Sequence, residues 1–170
     1  FLKEDSASLQ ILSQLLTFKY LHKEVREKGG AYGGGVRYGG VDGLFGYYSY
    51  RDPNPLRSIE YFKKSADFAL DNAWTAENLN EAKLTIFQSI DAPMDAKSEG
   101  MMLFRDGITD PMGQERRENL LDVNIEDIKN VTEKYLINGI KDSKSHRVAV
   151  IGPRLEEYDE SKWEIIDFSS

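Results

Sequence analysis

The chain has 170 residues, of which 40% are apolar, and its 22 basic and 29 acidic side chains give a formal net charge of −7. This length and composition predict one globular domain with its own buried core. The acidic balance argues against a general nucleic-acid binder. The absence of cysteine excludes disulfides, iron–sulfur clusters, thiolate zinc sites and a cysteine nucleophile. The sequence opens on Phe1 without a charged and apolar leader, which predicts a piece of a longer protein.

The first predicted element is a long helix. It begins at a cap on Asp5 or Ser6 and ends at Gly29 and Gly30, because glycine disfavours helix and readily closes its last turn. Its apolar residues recur at 3.6-residue spacing and are Leu9, Ile11, Leu12, Leu15, Leu16, Phe18, Leu21 and Val25.

A β-hairpin is predicted next. The runs 33–38 and 44–50 are rich in Val, Tyr and Phe, and the turn cluster 39–43 separates them. Apolar and aromatic side chains occupy both alternating sets of positions in 44–50, so both faces of that strand are expected to be covered.

Several helices are predicted after the hairpin. A helix opening at Pro55 and a second opening at Thr75 are expected to pack as a helical hairpin. A short helix is expected within 91–110, another begins with Asp110 as its cap, and Asn124 caps a further one. The expected inward residues are Leu56, Ile59, Phe62, Ala66, Ala69, Leu79, Ala82, Ile86, Phe87, Ile90, Ile125, Ile128, Val131, Tyr135 and Leu136.

The chain closes on a polar linker at 141–145, a predicted strand at 147–151 and an acidic segment at 156–160. Two adjacent strands, several helices and a late strand predict an α+β fold, with a mostly antiparallel sheet and helices layered on one face. Three strands are few for so many helices. We therefore expect either strands preceding Phe1 or another chain to complete the sheet.

The sequence offers few groups for metal or nucleophilic chemistry. His22 and His146 are far apart and belong to no zinc-binding pattern, so we expect no metal site in this chain. No G-x-S-x-G nucleophile elbow occurs. The glycine-rich run 29–35 follows a helix and lacks the Lys of a phosphate-binding loop, which favours a close approach of two backbones instead.

Arg26 and Tyr32 flank these glycines and are the candidate functional pair. A guanidinium and a phenol can both stabilise negative charge that develops on a carbonyl oxygen. The alternative is structural, because an arginine in a last helical turn complements the helix dipole and a tyrosine at a strand start is commonly half-buried packing.

Six segments resemble the C-terminal half of the pitrilysin, or inverzincin, metallopeptidases, in the branch that degrades mitochondrial targeting presequences and in its fungal form. They are LHKEVREKGGAYGGG at 21–35, YSYRDPN at 48–54, NEAKL at 80–84, DAP at 91–93, GITD at 107–110 and RRENLL at 116–121. The resemblance extends from about Leu9 to Gly152. Its specificity comes from long motifs in the correct order and at the correct spacing.

The resemblance implies a mitochondrial zinc endopeptidase, in the matrix or the intermembrane space, whose two halves close around unstructured peptides such as presequences. Residues 1–170 would be its last α+β domain, incomplete at its N-terminus and inactive alone, with zinc and the general base in the absent N-terminal half. Tyr32 would donate to the scissile carbonyl as a catalytic and substrate-binding residue, and Arg26 would anchor the substrate backbone or Tyr32 itself. The family's fold also implies one alternative, a non-catalytic homologue like the core subunits of the bc1 complex. The glycine-rich strand suggests another, a free-standing peptide-binding module.

Overall fold

The computed structural model describes residues 1–93, 95, 98–141, 146–153, 158–159 and 161–166. In chain order the elements are α1 (Ser6–Leu16) with a π-helical continuation (Thr17–Glu27), β1 (Gly33–Tyr38), β2 (Phe45–Tyr50), α2 (Pro55–Asp71), α3 (Ala76–Ile90), α4 (Met101–Asp106), α5 (Asp110–Asp122), α6 (Ile125–Val131) with a π-helical continuation (Thr132–Ile137), and α7 (Asn138–Lys141). Helices together with an antiparallel strand pair confirm the predicted α+β class.

The α1 helix and its π-helical continuation form the centre of the core. The predicted stripe is buried at every position except Phe18, whose side chain is half exposed and packs edge-on against the His22 ring. The prediction for Phe18 is wrong because the continuation has i→i+5 hydrogen bonds, for example from Lys28 N–H to the Lys23 carbonyl. Its wider turn moves the buried positions to a spacing of four residues, at Thr17, Leu21 and Val25.

The glycines of β1 let this strand lie directly against the π-helical continuation. A Cβ atom on Gly34 would stand 2.8 Å from Val25, and one on Gly35 would stand 2.9 Å from Thr17. Thr17 also accepts a hydrogen bond from the Val36 amide at 2.9 Å. The close backbone approach predicted from the glycine-rich run is therefore confirmed.

Only one face of β2 is covered by the described residues. Phe45, Tyr47 and Ser49 are half-buried, and the Tyr47 ring stacks on Phe62 of α2. Burial raises the pKa of the Tyr47 phenol to about 12. The alternate residues of β2 are exposed, so the expectation that both faces are covered is wrong for this chain. The alternation of half-buried and exposed residues along β2 is typical of an antiparallel sheet with one face packed and the other open to solvent.

The late strand predicted at 147–151 is absent: these residues form no strand and no ladder with the described sheet. The residues lie across a cavity of about 1730 Å³ from β2, with Ile59, Phe62 and Leu136 among its lining side chains. The separation leaves no ladder partner for 147–151, and it makes β2 an edge strand within the described part of the chain.

The predicted hairpin of α2 and α3 does not form. The α2 helix packs on the two π-helical continuations, whereas α3 packs on α1. Trp74 lies between the two helices and donates from its indole N–H to the Ala69 carbonyl at 2.8 Å. The predicted inward residues of both helices are buried or half-buried, except Ile90, which is exposed in the last turn of α3.

The helix caps follow the sequence in part. Asp5 stands at the N-cap position of α1 but makes no side-chain capping bond. Asn124 caps α6, as predicted, and it also forms a reciprocal capping box with Asp127. The cap of α5 is Thr109 rather than Asp110, because the Thr109 hydroxyl accepts a hydrogen bond from the Met112 amide.

Tyr135 is exposed, although it was expected to face inward. Its hydroxyl donates a hydrogen bond to the Asp5 carboxylate.

The linker predicted at 141–145 and the acidic segment predicted at 156–160 lie largely outside the described residues. Within the residues that are described, no helix is long and apolar enough to cross a membrane.

Candidate functional site at the end of the long helix

The long helix ends in a tight turn that leads into β1. Gly30 has a φ of 81°, a left-handed conformation that glycine adopts without strain. Its amide donates to the Arg26 carbonyl at 3.0 Å, and the Ala31 amide donates to the Val25 carbonyl at 3.2 Å. The predicted helix stop at the glycines is confirmed, and the turn fixes the backbone on both sides of it.

Tyr32 follows this turn and presents its ring to solvent. Its side chain is 69% exposed, so it does not take the half-buried packing role that strand-start tyrosines commonly have. The backbone is anchored, because the Tyr32 amide donates to the Tyr50 carbonyl at 3.1 Å and to the Arg51 carbonyl at 3.4 Å. The phenol is therefore held on a fixed backbone and is open to a ligand.

Arg26 lies in the last turn of the helix and is also exposed. Its guanidinium makes no hydrogen bond or ion pair with the described residues, and no contact joins it to the Tyr32 ring. The structure places both residues at one helix-to-strand connection without bringing their side chains together. Their joint role stays a prediction.

Two residues that the sequence reasoning missed surround Tyr32. The Tyr50 ring packs edge-on against it with centroids 6.0 Å apart, and the Arg51 guanidinium carbon lies 5.7 Å from the Tyr32 centroid and 5.4 Å from that of Tyr50. The hairpin register pairs Gly33 with Tyr50. Extending the predicted hairpin by one residue places Arg51 opposite Tyr32. This register is the feature of the sequence from which the proximity of the two residues could have been predicted.

The segment after β2 supports the turn from the other side. The Asn54 side-chain amide donates to the Gly29 carbonyl at 3.3 Å, and a Cβ atom on Gly30 would stand 3.5 Å from the Pro53 ring. One carboxylate oxygen of Asp52 accepts a hydrogen bond from the Asn54 backbone amide at 2.8 Å, while its second oxygen is buried and has no partner among the described residues. Two of the segments that carry the family resemblance, 21–35 and 48–54, thus meet at this site.

The two histidines lie in different parts of the fold. His22 is half-buried beside Phe18, and His146 precedes the irregular segment across the cavity from β2. Among the described residues, no group of three His, Cys, Asp or Glu side chains is arranged to hold a metal ion.

Comparison with known proteins now gives the family. The family model described as "PreP C-terminal domain" matches residues 3–153. The chain is 52% identical over 164 residues to the presequence protease, mitochondrial, of Saccharomyces cerevisiae, covering 95% of this chain and 16% of that protein. It is 53% identical to the protein of that name in Debaryomyces hansenii, with 89% of this chain and 15% of the relative covered. For the Yarrowia lipolytica protein the identity is 45%, with 96% and 16% covered.

The chain belongs to the PreP C-terminal domain family, as the resemblance predicted. It spans about one-sixth of the length of the curated relatives it matches. These relatives are named as mitochondrial proteins, which confirms the predicted mitochondrial localisation.

Proposed function

We propose that this chain is the substrate-binding, non-zinc domain of a zinc metalloendopeptidase that degrades mitochondrial targeting presequences and other short unstructured peptides. The observation that carries the proposal is the exposed Tyr32 phenol on an anchored backbone, in a chain about half identical to proteins named presequence proteases. An anchored, solvent-facing donor is what recognition of a substrate carbonyl requires.

Tyr32 acts as a hydrogen-bond donor to the carbonyl oxygen of the bond being cleaved. Its phenol bond strengthens as negative charge accumulates on that oxygen, so it favours the transition state over the bound substrate. Arg26, whose guanidinium has no partner in the described residues, anchors the substrate backbone. This bond is made equally in the ground state and the transition state.

Zinc belongs to the part of the protein outside this chain. The described residues do not fit a zinc site, because no three suitable side chains converge. The family resemblance assigns the metal and the general base to the N-terminal half. The role of this domain is thus binding and orientation of the peptide.

Two arginines belong to the candidate site although the chain carries a formal net charge of −7. Arg51 is exposed beside the Tyr32 ring, and Arg26 is exposed in the last turn of the helix that leads to Tyr32. Guanidinium groups suit the carbonyl and carboxylate oxygens of a peptide backbone. We therefore assign the arginines to backbone recognition and leave the attraction of basic presequences to acidic surfaces elsewhere in the protein.

We also propose that an extended segment from the rest of the same protein completes the sheet. Gly39 donates to the Leu44 carbonyl, and hydrogen-bonded pairs alternate along an antiparallel ladder, so the amides of Phe45, Tyr47 and Ser49 point to the outer edge of β2. None of the three bonds to another described residue. An unpaired edge beside a large cavity with apolar helical walls fits an added strand.

Hydrogen–deuterium exchange of the full-length protein tests this sheet completion. We expect the amides of Phe45, Tyr47 and Ser49 to be protected without added peptide, and to exchange faster in the isolated 170-residue chain. Protection that arises only when a presequence peptide is added would identify the edge as a peptide site and overturn the proposal. Rapid exchange under both conditions would overturn it as well.

Peptide hydrolysis tests the proposed activity. The full-length protein should cleave a presequence peptide and lose that activity on treatment with a zinc chelator, and the 170-residue chain alone should be inactive. A full-length protein that binds the peptide without cleaving it would instead support a non-catalytic homologue of the same fold.

A further inference from the structure

We infer that Arg51 is a positioning residue that holds the Tyr32 phenol in its working orientation. The inference rests on the role proposed above for Tyr32. Three features of the structure support it: the backbone conformation of Arg51, the hydrogen bond that its carbonyl accepts, and the placement of its guanidinium.

The backbone of Arg51 is strained. With a φ of 48° it is the one non-glycine residue with a positive φ in the described part of the chain. Arginine has no local hydrogen bond that compensates this left-handed conformation, which glycine or asparagine adopts more readily. Strain of this kind persists where the surrounding structure enforces it, and it is concentrated at functional sites.

The strained backbone points the Arg51 carbonyl at Tyr32. The Tyr32 amide is shared between the Tyr50 carbonyl at 3.1 Å and the Arg51 carbonyl at 3.4 Å. This three-centre hydrogen bond ties the start of β1 to the end of β2, one residue beyond the regular ladder. The conformation of Arg51 therefore sets where the Tyr32 backbone lies.

The Arg51 side chain then fixes the ring. Its guanidinium lies within cation–π range of both Tyr32 and Tyr50, whose rings meet at 81°. An exposed tyrosine would otherwise turn about its side-chain bonds. Contacts with a cation and a second ring restrict that motion and reduce the ordering that substrate binding would have to impose.

The second exposed arginine–tyrosine contact on the sheet provides a matched control. Arg37 lies 5.1 Å from the Tyr48 ring centroid, a cation–π geometry like that of Arg51, but its strand backbone does not have a positive φ and it does not contact Tyr32. Loss of the Arg37 guanidinium should therefore leave peptide cleavage within about twofold of the unmodified enzyme.

The experiment is a double-mutant cycle in the full-length zinc-loaded enzyme, with kcat and KM measured on a presequence peptide. Arg51→Asn keeps a residue that tolerates the left-handed conformation and removes the guanidinium. We expect it to lower kcat roughly three- to tenfold with little change in KM. In the Tyr32→Phe background the same change should lower kcat by less than about twofold, because the hydroxyl it orients is gone.

Arg51→Lys should recover part of the loss, since it retains a cation without the planar guanidinium. Equal losses from Arg51→Asn in both backgrounds would show that Arg51 acts independently of the phenol and would overturn the inference. An unchanged kcat for Arg51→Asn, alongside a loss for Tyr32→Phe, would overturn it while leaving the proposed function intact. If Tyr32→Phe itself has no effect, the proposed role of Tyr32 fails together with this inference.

Discussion

Arg116 is a buried cation that has no carboxylate partner among the described residues. Its guanidinium donates to the carbonyls of Phe1 and Ser6 and to the side chains of Ser6 and Gln10, and desolvation by burial lowers its pKa. These bonds tie the first turns of α1 to α5. A single side chain of the RRENLL motif thereby holds the start of the helix whose last turn carries Arg26.

Arg116→Ala should lower the free energy of unfolding of the chain by about 3 kcal/mol, because it leaves several buried acceptors unpaired. Arg117 is the control: its ion pair with Asp91 at 2.6 Å is largely exposed. Arg117→Ala should cost less than about 1 kcal/mol. Urea denaturation of the two variants measures both values, and equal losses would refute the structural role of Arg116.

The glycine-rich strand can be tested at the scale of the element. A Cβ atom on Gly35 would collide with Thr17, whose hydroxyl accepts the Val36 amide and donates to the Ser13 carbonyl at 2.8 Å. Gly35→Ala should therefore destabilise the chain by about 1–3 kcal/mol. Gly33 has open space at the same atom, so Gly33→Ala should be nearly neutral. Thermal unfolding midpoints distinguish the two, and a neutral Gly35→Ala would contradict the close packing of β1 on the helix.

At the same scale, the sequence predicts the individual helices, strands and caps better than it predicts which elements pack against each other. The helix stop at Gly29 and Gly30, the hairpin and the Asn124 cap follow from local chemistry, and the structure has them. The packing of α3 on α1 depends on contacts between distant residues, which a single-sequence pattern does not encode. The wider turn that exposes Phe18 departs from the 3.6-residue spacing on which the prediction rests. Likewise, Arg26 and Tyr32 are predicted from their positions beside the glycines and from the family resemblance, whereas the contact of Arg51 with Tyr32 depends on the strand register.

Across the described part of the molecule, one strand of the sheet is covered by a helix and the other strand has an open edge. The β1 strand lies against the long helix, while the outer edge of β2 faces a cavity. Arg51 follows the last residue of β2 and lies beside Tyr32. In our account the rest of the protein occupies the cavity, and peptide substrate reaches the phenol. Structural completion and substrate recognition are thereby assigned to separate regions of one hairpin.

Removal of the Tyr32 hydroxyl group in the full-length enzyme tests this account most directly. Tyr32→Phe retains the ring and its contacts with Tyr50 and Arg51 but removes the proposed donor. We predict that kcat for a presequence peptide falls by about 10²–10³, with a smaller change in KM, because the lost bond is strongest in the transition state. Folded, zinc-loaded Tyr32→Phe enzyme that cleaves the peptide at the unmodified rate would contradict the central claim.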